Sequence, residues 1–182
     1  GFQGIFVGSG AGLPNFMDIP GENALNIMSS NEYLTRVNLM DAANPSTDTP
    51  INLGKKVLVV GGGNTAMDSC RTAKRLGADV TLVYRRSEAE MPARIEEVKH
   101  AKEEGIKFLT LHNPKEYLTD ENGAVKAAVL DVMQLGEPDQ SGRRRPETTG
   151  ETITIECDQV IVAVGVSPNP LVPKSIEGLT LG

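Results

Sequence analysis

Three small residues at fixed spacing, Gly61-x-Gly63-x-x-Ala66 within "VLVVGGGNTAMDSCRTAKRL", form the part of the sequence best suited to hold a ligand. A pyrophosphate site needs a strand that delivers the chain, glycines that let the backbone come close, and a helix whose first N–H groups face the anion. Here Gly61 makes the tight turn, Gly63 lets the backbone reach the pyrophosphate, and Ala66 lets helix and strand pack closely. Asn64 and Thr65 add N–H groups and side-chain donors at the helix start. The chemistry implied is the binding of a dinucleotide.

The strand that follows this helix selects the nucleotide. An acid at its end would accept from a ribose 2′-hydroxyl and repel a 2′-phosphate. The strand ends Tyr84-Arg85-Arg86-Ser87, with no acid and two guanidiniums that can hold a phosphate by charge-assisted bonds. NADPH is therefore expected over NADH. An earlier glycine run, "GIFVGSGAGLPNF", competes for the phosphate role. Leu13 stands where a small residue is needed and Pro14 follows with no helical period, so Ile5–Val7 reads as a strand and the glycines as its exit loop.

Other reactive side chains have plainer readings. Asp68 suits a carboxylate near the helix N-terminus, and His100 and His112 each lack a second ligand at metal spacing. Cys70 and Cys157 show no C-x-x-C pairing and read as buried thiols in a reducing compartment. Arg143-Arg144-Arg145 lies at a hairpin tip, either as a solvated turn or as a docking or phosphate-contacting loop. No catalytic residue and no metal ligand is assigned.

The elements that must position these residues follow from pattern. "KKVLVV", "TAMDSCRTAKRL" closed by Gly77, and "DVTLVY" make a βαβ unit. A second helix is expected from about Pro92 to Glu104, with Pro92 in its first turn and Ile95, Val98 and either Ala101 or the Lys102 stem on one face, and "IKFLTL" follows as a strand. "KEYLTDENGAVKAAVLDVMQL" and "ETITIECDQVIVAV" carry no helix between them and read as an antiparallel lobe. Upstream, Ser29 and Glu32 form a capping box for a helix presenting Tyr33, Leu34, Val37 and Met40 on one face, before a Pro-, Ser- and Asp-rich linker. The expected fold is α/β: a Rossmann-like parallel sheet with helices and an added antiparallel β lobe. The expected division is 1–54 as a leading segment and linker, 55–165 as the nucleotide domain, and 166–182 as a return segment.

Composition narrows the class. A chain of 182 residues with 39% hydrophobic content can build a real core, and a net charge of −6 argues against nucleic acid or an anionic membrane surface as partner. No apolar run approaches the ~20 residues of a bilayer span, which fits a cytoplasmic setting. The chain opens inside an apolar run without Met, as a part of a longer protein would.

Four stretches, "GAGLPNFMDIPGENALNIMSSNEYLTRVNLM", the βαβ segment continuing to "MPARIEEVKHAKEEGI", "LGEPDQSGRRRP" and "VIVAVGVSPNP", together resemble the small (β) subunit of NADPH-dependent glutamate synthase. The resemblance extends to its relatives among ferredoxin-linked NADP oxidoreductases and dihydropyrimidine dehydrogenase, and covers essentially the whole chain. It implies a flavoprotein with two dinucleotide-binding domains, in which an NADPH domain interrupts a flavin domain. Hydride then passes from NADPH to FAD and onward through iron–sulfur clusters to a partner, the glutamate synthase large subunit or another electron-acceptor protein. By that resemblance Gly61, Gly63, Asn64, Thr65, Arg85 and Arg86 match the NADPH site, Arg94 of "MPAR" is a further 2′-phosphate candidate, and Val164 and Gly165 lie beside the nucleotide or at the return to the flavin domain. FAD and the clusters belong to the full-length protein only, because the flavin domain's own glycine loop and the cluster cysteines have no match here; these residues alone are not expected to turn over. An alternative of another class is a non-catalytic module that senses NADPH.

Overall fold

The computed structural model describes residues 1–4, 6–8, 10–139 and 142–178. In chain order the first half holds β1 (Ala11–Pro14), β2 (Ile27–Ser29), α1 (Ser30–Leu34) with a π-helical turn at Thr35–Leu39, β3 (Lys56–Val60), α2 (Asn64–Arg75) and β4 (Asp79–Tyr84). A 3-10 turn (Glu88–Glu90), α3 (Ile95–Glu103), β5 (Lys107–Thr110), β6 (His112–Thr119), β7 (Val125–Pro138), β8 (Arg144–Glu156), β9 (Gln159–Val162), β10 (Val166–Pro168) and α4 (Leu171–Ser175) complete it.

Five parallel strands in the order β2-β9-β3-β4-β5 form the central sheet. Its strands are apolar on both faces because both are covered. Val57 and Val59 point with Val80, Leu82 and Ile161 toward the helices, where Ala66, Met67, Cys70 and Ala73 of α2 meet them at the spacing of one helical face. Leu58 and Val60 point the other way with Val83, Val160 and Val162. There they pack on Tyr117, Val125, Ala128 and Leu130 of the antiparallel sheet β6-β7-β8. Each fully buried Val or Leu in these layers contributes about 1.5–3 kcal/mol. The fold is thus the expected parallel sheet with helices and an added antiparallel lobe, the lobe covering the face that the helices leave.

Several local expectations are corrected. Gln159–Val162 joins the parallel sheet between β2 and β3 instead of the lobe, as its unbroken burial requires of a central strand. Strand β2 precedes the linker yet pairs with β9, so the sheet draws its edge strand from residues 1–54. α3 begins three residues after Pro92, and Ile95 is 78% exposed, leaving Val98 and Ala101 to face the core. Ser29 Oγ accepts the Glu32 N–H at 3.2 Å, but the Glu32 carboxylate turns to Arg36 at 2.7 Å instead of closing the capping box. The π-helical turn then rotates Met40 outward while Tyr33 is buried and Leu34 and Val37 pack on the core.

The opening glycine run starts no helix. Ala11–Pro14 is a strand, antiparallel to β10, with Leu13 opposite Ser167 and Pro14 opposite Val166. Of the strand expected at Ile5–Val7, Ile5 lies outside the described residues, and Phe6 and Val7 have no strand pairing. Residues 179–182 of the expected return segment also lie outside them. Among the described residues no helix is long and apolar enough to cross a membrane.

Candidate functional site

Where β3, β4 and β9 end, Val60, Tyr84 and Ala163 open onto a cleft of about 900 Å³. Its floor is the glycine turn. Gly61 takes φ +139°, donates its N–H to Val83 O at 3.0 Å, and sits so close to β9 that a Cβ would lie 2.3 Å from Ala163 O. Only glycine fits that crossing. Gly62 is covered by the Tyr84 ring, 2.7 Å from where its Cβ would be. Gly63 has open space above it and is the extended N-cap of α2, without a side chain to occupy the helix's first N–H groups. The three glycines therefore divide the work: two admit protein neighbours, and Gly63 leaves room for a ligand.

Thr65 lines the cleft, whereas Ala66 is fully buried beneath it against the sheet. The Asn64 side chain turns away from the turn: its Oδ1 accepts the Arg94 backbone N–H at 2.8 Å. Ala93 N–H donates to Gly62 O at 3.0 Å, so the segment before α3 is strapped along the glycine turn. Arg94 itself is the exposed N-cap of α3 and lies outside the cleft lining.

Arg85 and Arg86 both line the end of the cleft beyond β4. Arg85 is exposed; Arg86 is half-buried, and its Nε is shielded from solvent without a hydrogen-bond partner. A buried, unpaired guanidinium N–H costs free energy unless an acceptor arrives. Ser87 is already engaged, its N–H and Oγ–H both donating to Glu90 Oε2, at 3.1 and 2.9 Å. Burial raises the Tyr84 phenol above its ordinary pKa, and Glu90 adds to this, while Arg86, Arg85 and Arg143 oppose it. Its hydroxyl donates to Glu90 O at 2.9 Å. Val164 and Gly165 form the facing wall, where Asn15 N–H donates to Gly165 O at 3.0 Å and Ser167 Oγ–H to Asn15 Oδ1 at 2.7 Å.

Gly61, Gly63, Thr65, Arg85, Arg86, Val164 and Gly165 thus meet around one cleft, with Asn64, Ala66 and Arg94 supporting it from behind. Other wall residues carry no local signal in the sequence. Asn15, Phe16 and Met17 come from the loop after β1, and His112 and Asn113 arrive because Leu111, at φ +56°, turns the chain from β5 into β6 and donates its N–H to Arg86 O at 3.0 Å. His112 Nδ1 lies 2.7 Å from Thr110 O, which assigns its proton to Nδ1. Among the described residues no cluster of three or more His, Cys, Asp or Glu could hold a metal ion.

With that geometry in place, comparison with known proteins is informative. The sequence profile of the pyridine nucleotide-disulphide oxidoreductases matches residues 2–181. The β subunit of the NADPH-Fe(3+) oxidoreductase of Geobacter sulfurreducens is 52% identical over 122 residues, 66% of this chain and 18% of that protein. The glutamate synthase [NADPH] small chain of Halomonas elongata is 36% identical over 174 residues, 93% of this chain and 36% of that one. The solved structure of Mycobacterium tuberculosis FprA in complex with NADPH superposes with a TM-score of 0.71 at 18% identity, over 87% of this chain and 49% of that chain. That last likeness concerns the fold. This chain spans less than half the length of these relatives.

Proposed function

This chain belongs to the pyridine nucleotide-disulphide oxidoreductase family, and on that premise we propose that it is the NADPH-binding part of an iron–sulfur flavoprotein oxidoreductase. Bound in the cleft, NADPH would supply a hydride, with FAD in the longer protein as acceptor. The chain's own residues hold and orient. Gly63 and the first N–H groups of α2 offer a place for the pyrophosphate, Arg85 and Arg86 a place for the 2′-phosphate, and the loop after β1 with Val164 and Gly165 shields the opposite side. The observation that carries this reading is the unpartnered Arg86 Nε just past β4, a strand with no acid at its cleft end.

Within that class the first reading is a glutamate synthase small subunit, supported by the likeness to the Halomonas elongata chain across nearly all of these residues. Its partner would be the large subunit, its setting the cytoplasm, and its product glutamate from glutamine and 2-oxoglutarate. The higher identity to the NADPH-Fe(3+) oxidoreductase β subunit supports a second reading, in which the same NADPH half serves another acceptor. In either case residues 55–165 form the nucleotide domain, with edge strand β2 added from 1–54. The paired strands β1 and β10 are the neck through which the chain enters from and returns to a flavin domain.

The test is calorimetric titration of NADPH and NADH into the wild-type chain and into Arg85→Ala/Arg86→Ala. NADPH affinity is expected to fall about 30- to 1,000-fold and NADH affinity little, a loss of about 2–4 kcal/mol for the two guanidiniums together, since Arg85 is exposed and its bond is screened by solvent. Equal losses for the two nucleotides overturn the assignment. The enzyme reading is tested on the longer protein, where absence of flavin colour and of NADPH-driven dye reduction counts against it.

A further inference from the structure

Three consecutive arginines, Arg143 to Arg145, have no part in the reading above, and the sequence gives no rank among them. The structure separates them. Arg144 folds back on its own hairpin, its Nε and Nη2 donating to the carbonyls of Gly136 and Leu135, each at 3.1 Å. Arg145 is exposed on β8, outside the cleft. Arg143 belongs to the cleft wall, although it comes from the far end of the antiparallel lobe. Its backbone is anchored: its N–H donates to Asp139 Oδ1 at 3.0 Å and its carbonyl accepts the Asp139 N–H at 2.8 Å. Its guanidinium makes no hydrogen bond or ion pair among the described residues, and it is close enough to Tyr84 to act on that phenol alongside Arg85 and Arg86.

Arg85 and Arg86 leave the chain at adjacent positions, so both approach a bound anion from the β4 side of the cleft. A phosphate monoester presents three terminal oxygens and nearly two negative charges. Arginine's planar fork is the side chain that matches such a group with paired bonds. The acid in this part of the cleft, Glu90, has Oε2 taken up by Ser87. Three arginines and one partly neutralised carboxylate therefore line this cleft, an excess of positive charge that no ion pair among the described residues offsets.

We infer that Arg143 is a third cationic arm of the phosphate end of the cleft, carried by the antiparallel lobe, and that it sets preference for an adenine nucleotide bearing a 2′-phosphate. The inference rests on the reading that Arg85 and Arg86 receive that phosphate. It gives the β7–β8 hairpin a task in nucleotide selection, by bringing a third guanidinium to the cleft that Arg85 and Arg86 line.

Titrations of NADPH, NADH and adenosine 2′,5′-bisphosphate into the 182-residue chain, its Arg143→Ala and Arg143→Lys variants and an Arg145→Ala control test this. Arg143→Ala should bind NADPH and the bisphosphate about tenfold more weakly, the size of one partly exposed charge-assisted bond, with NADH changed less than about twofold. Arg143→Lys should recover part of the loss, and Arg145→Ala should match wild type. Thermal melts of all four proteins should coincide, since Arg143 is exposed. A wild-type chain that prefers NADPH, together with an Arg143→Ala variant that keeps the preference or loses both nucleotides equally, overturns the Arg143 assignment alone. A wild-type chain without any NADPH preference overturns it together with the functional reading.

Discussion

The side-chain Oδ1 of Asn64 accepts the backbone N–H of Arg94 at 2.8 Å, across a separation of 30 residues. This bond ties the first residue of α2 to the N-cap of α3 and holds the segment before α3 against the glycine turn. Asn64→Ala should cost about 1 kcal/mol of stability, the value of a hydrogen bond whose freed donor can reach water. NADPH and NADH should weaken together, because a wall is displaced and no phosphate contact is lost. Asn64→Asp keeps the acceptor and should restore stability, yet it places a carboxylate at the start of α2 and should weaken both nucleotides further. Urea unfolding beside titration checks the split; an Asn64→Asp variant as unstable as the alanine variant would count against the bond.

Gly61 and Gly63 belong to one motif but should fail differently. At Gly61 the φ of +139° and the Ala163 carbonyl, 2.3 Å from a Cβ, leave an alanine nowhere to go. Gly61→Ala should destabilise by about 3 kcal/mol or more, through strain and displacement of β9. Gly63→Ala meets no protein atom within 4 Å and has an ordinary φ of −89°. Its stability cost should stay within about 1 kcal/mol, the difference between glycine and alanine at an N-cap, while NADPH binding falls about tenfold or more. A Gly63→Ala chain that melts as early as Gly61→Ala, or binds NADPH normally, would remove Gly63 from the ligand's path.

The contrast also shows which parts of the molecule a linear reading reaches. The β3–turn–α2–β4 unit is legible because strand run, glycine spacing and helical period are local, and the arginines sit one step beyond it. Strand β2 is not, since its three residues acquire a pairing only through β9, more than a hundred residues away. The inward face of α3 is misjudged at Ile95 because the strap at Asn64 delays the helix start past Pro92. The Asn64 side chain is tied to Arg94 through a contact 30 residues away, which the local pattern does not reveal; its N–H stays at the start of α2. Arg143 stands out from its two neighbours only when the curl of the hairpin is known.

Stability should depend on pH through the α2–α3 contact. Glu104 accepts from Arg71 Nε at 2.8 Å and Arg75 Nη2 at 2.7 Å, while Glu97 takes the other branch of Arg71 at 2.8 Å. The Arg75 hydrogen bond chiefly, with help from Arg71 and against a smaller desolvation effect, holds Glu104 below its usual pKa of 4.5. A carboxylate held low in the folded state stabilises it above the unfolded pKa, and the contribution is lost as pH falls through the folded value. Glu104→Gln should therefore cost about 1 kcal/mol at neutral pH, a networked surface value. The gap to wild type should be full above the ordinary carboxylate pKa of 4.5 and shrink as pH falls below it, through the lower folded-state value. Denaturant midpoints across that range are the measurement, and a gap constant with pH would show that Glu104 acts through packing alone.

The two thiols should report unfolding and nothing else. Cys70 is fully buried on α2 among Ala66, Met67 and Ala73, and burial pushes its pKa far up. Cys157 lies in the second core layer, its pKa pushed up to about 12 by burial, with Asp158 adding to it. Since the thiolate is the reactive form, neither should react with a disulfide reagent at pH 8 in the native chain except through opening of the fold. Saturating NADPH should slow labelling of both sites, because ligand that binds only the native state adds to the free energy of global opening; at a hundred times its dissociation constant the slowing approaches about a hundredfold. Mass spectrometry separates the sites. Rapid labelling of Cys70 in the native chain would mean that α2 leaves the sheet independently, and the glycine turn that starts it could not then be a preformed site.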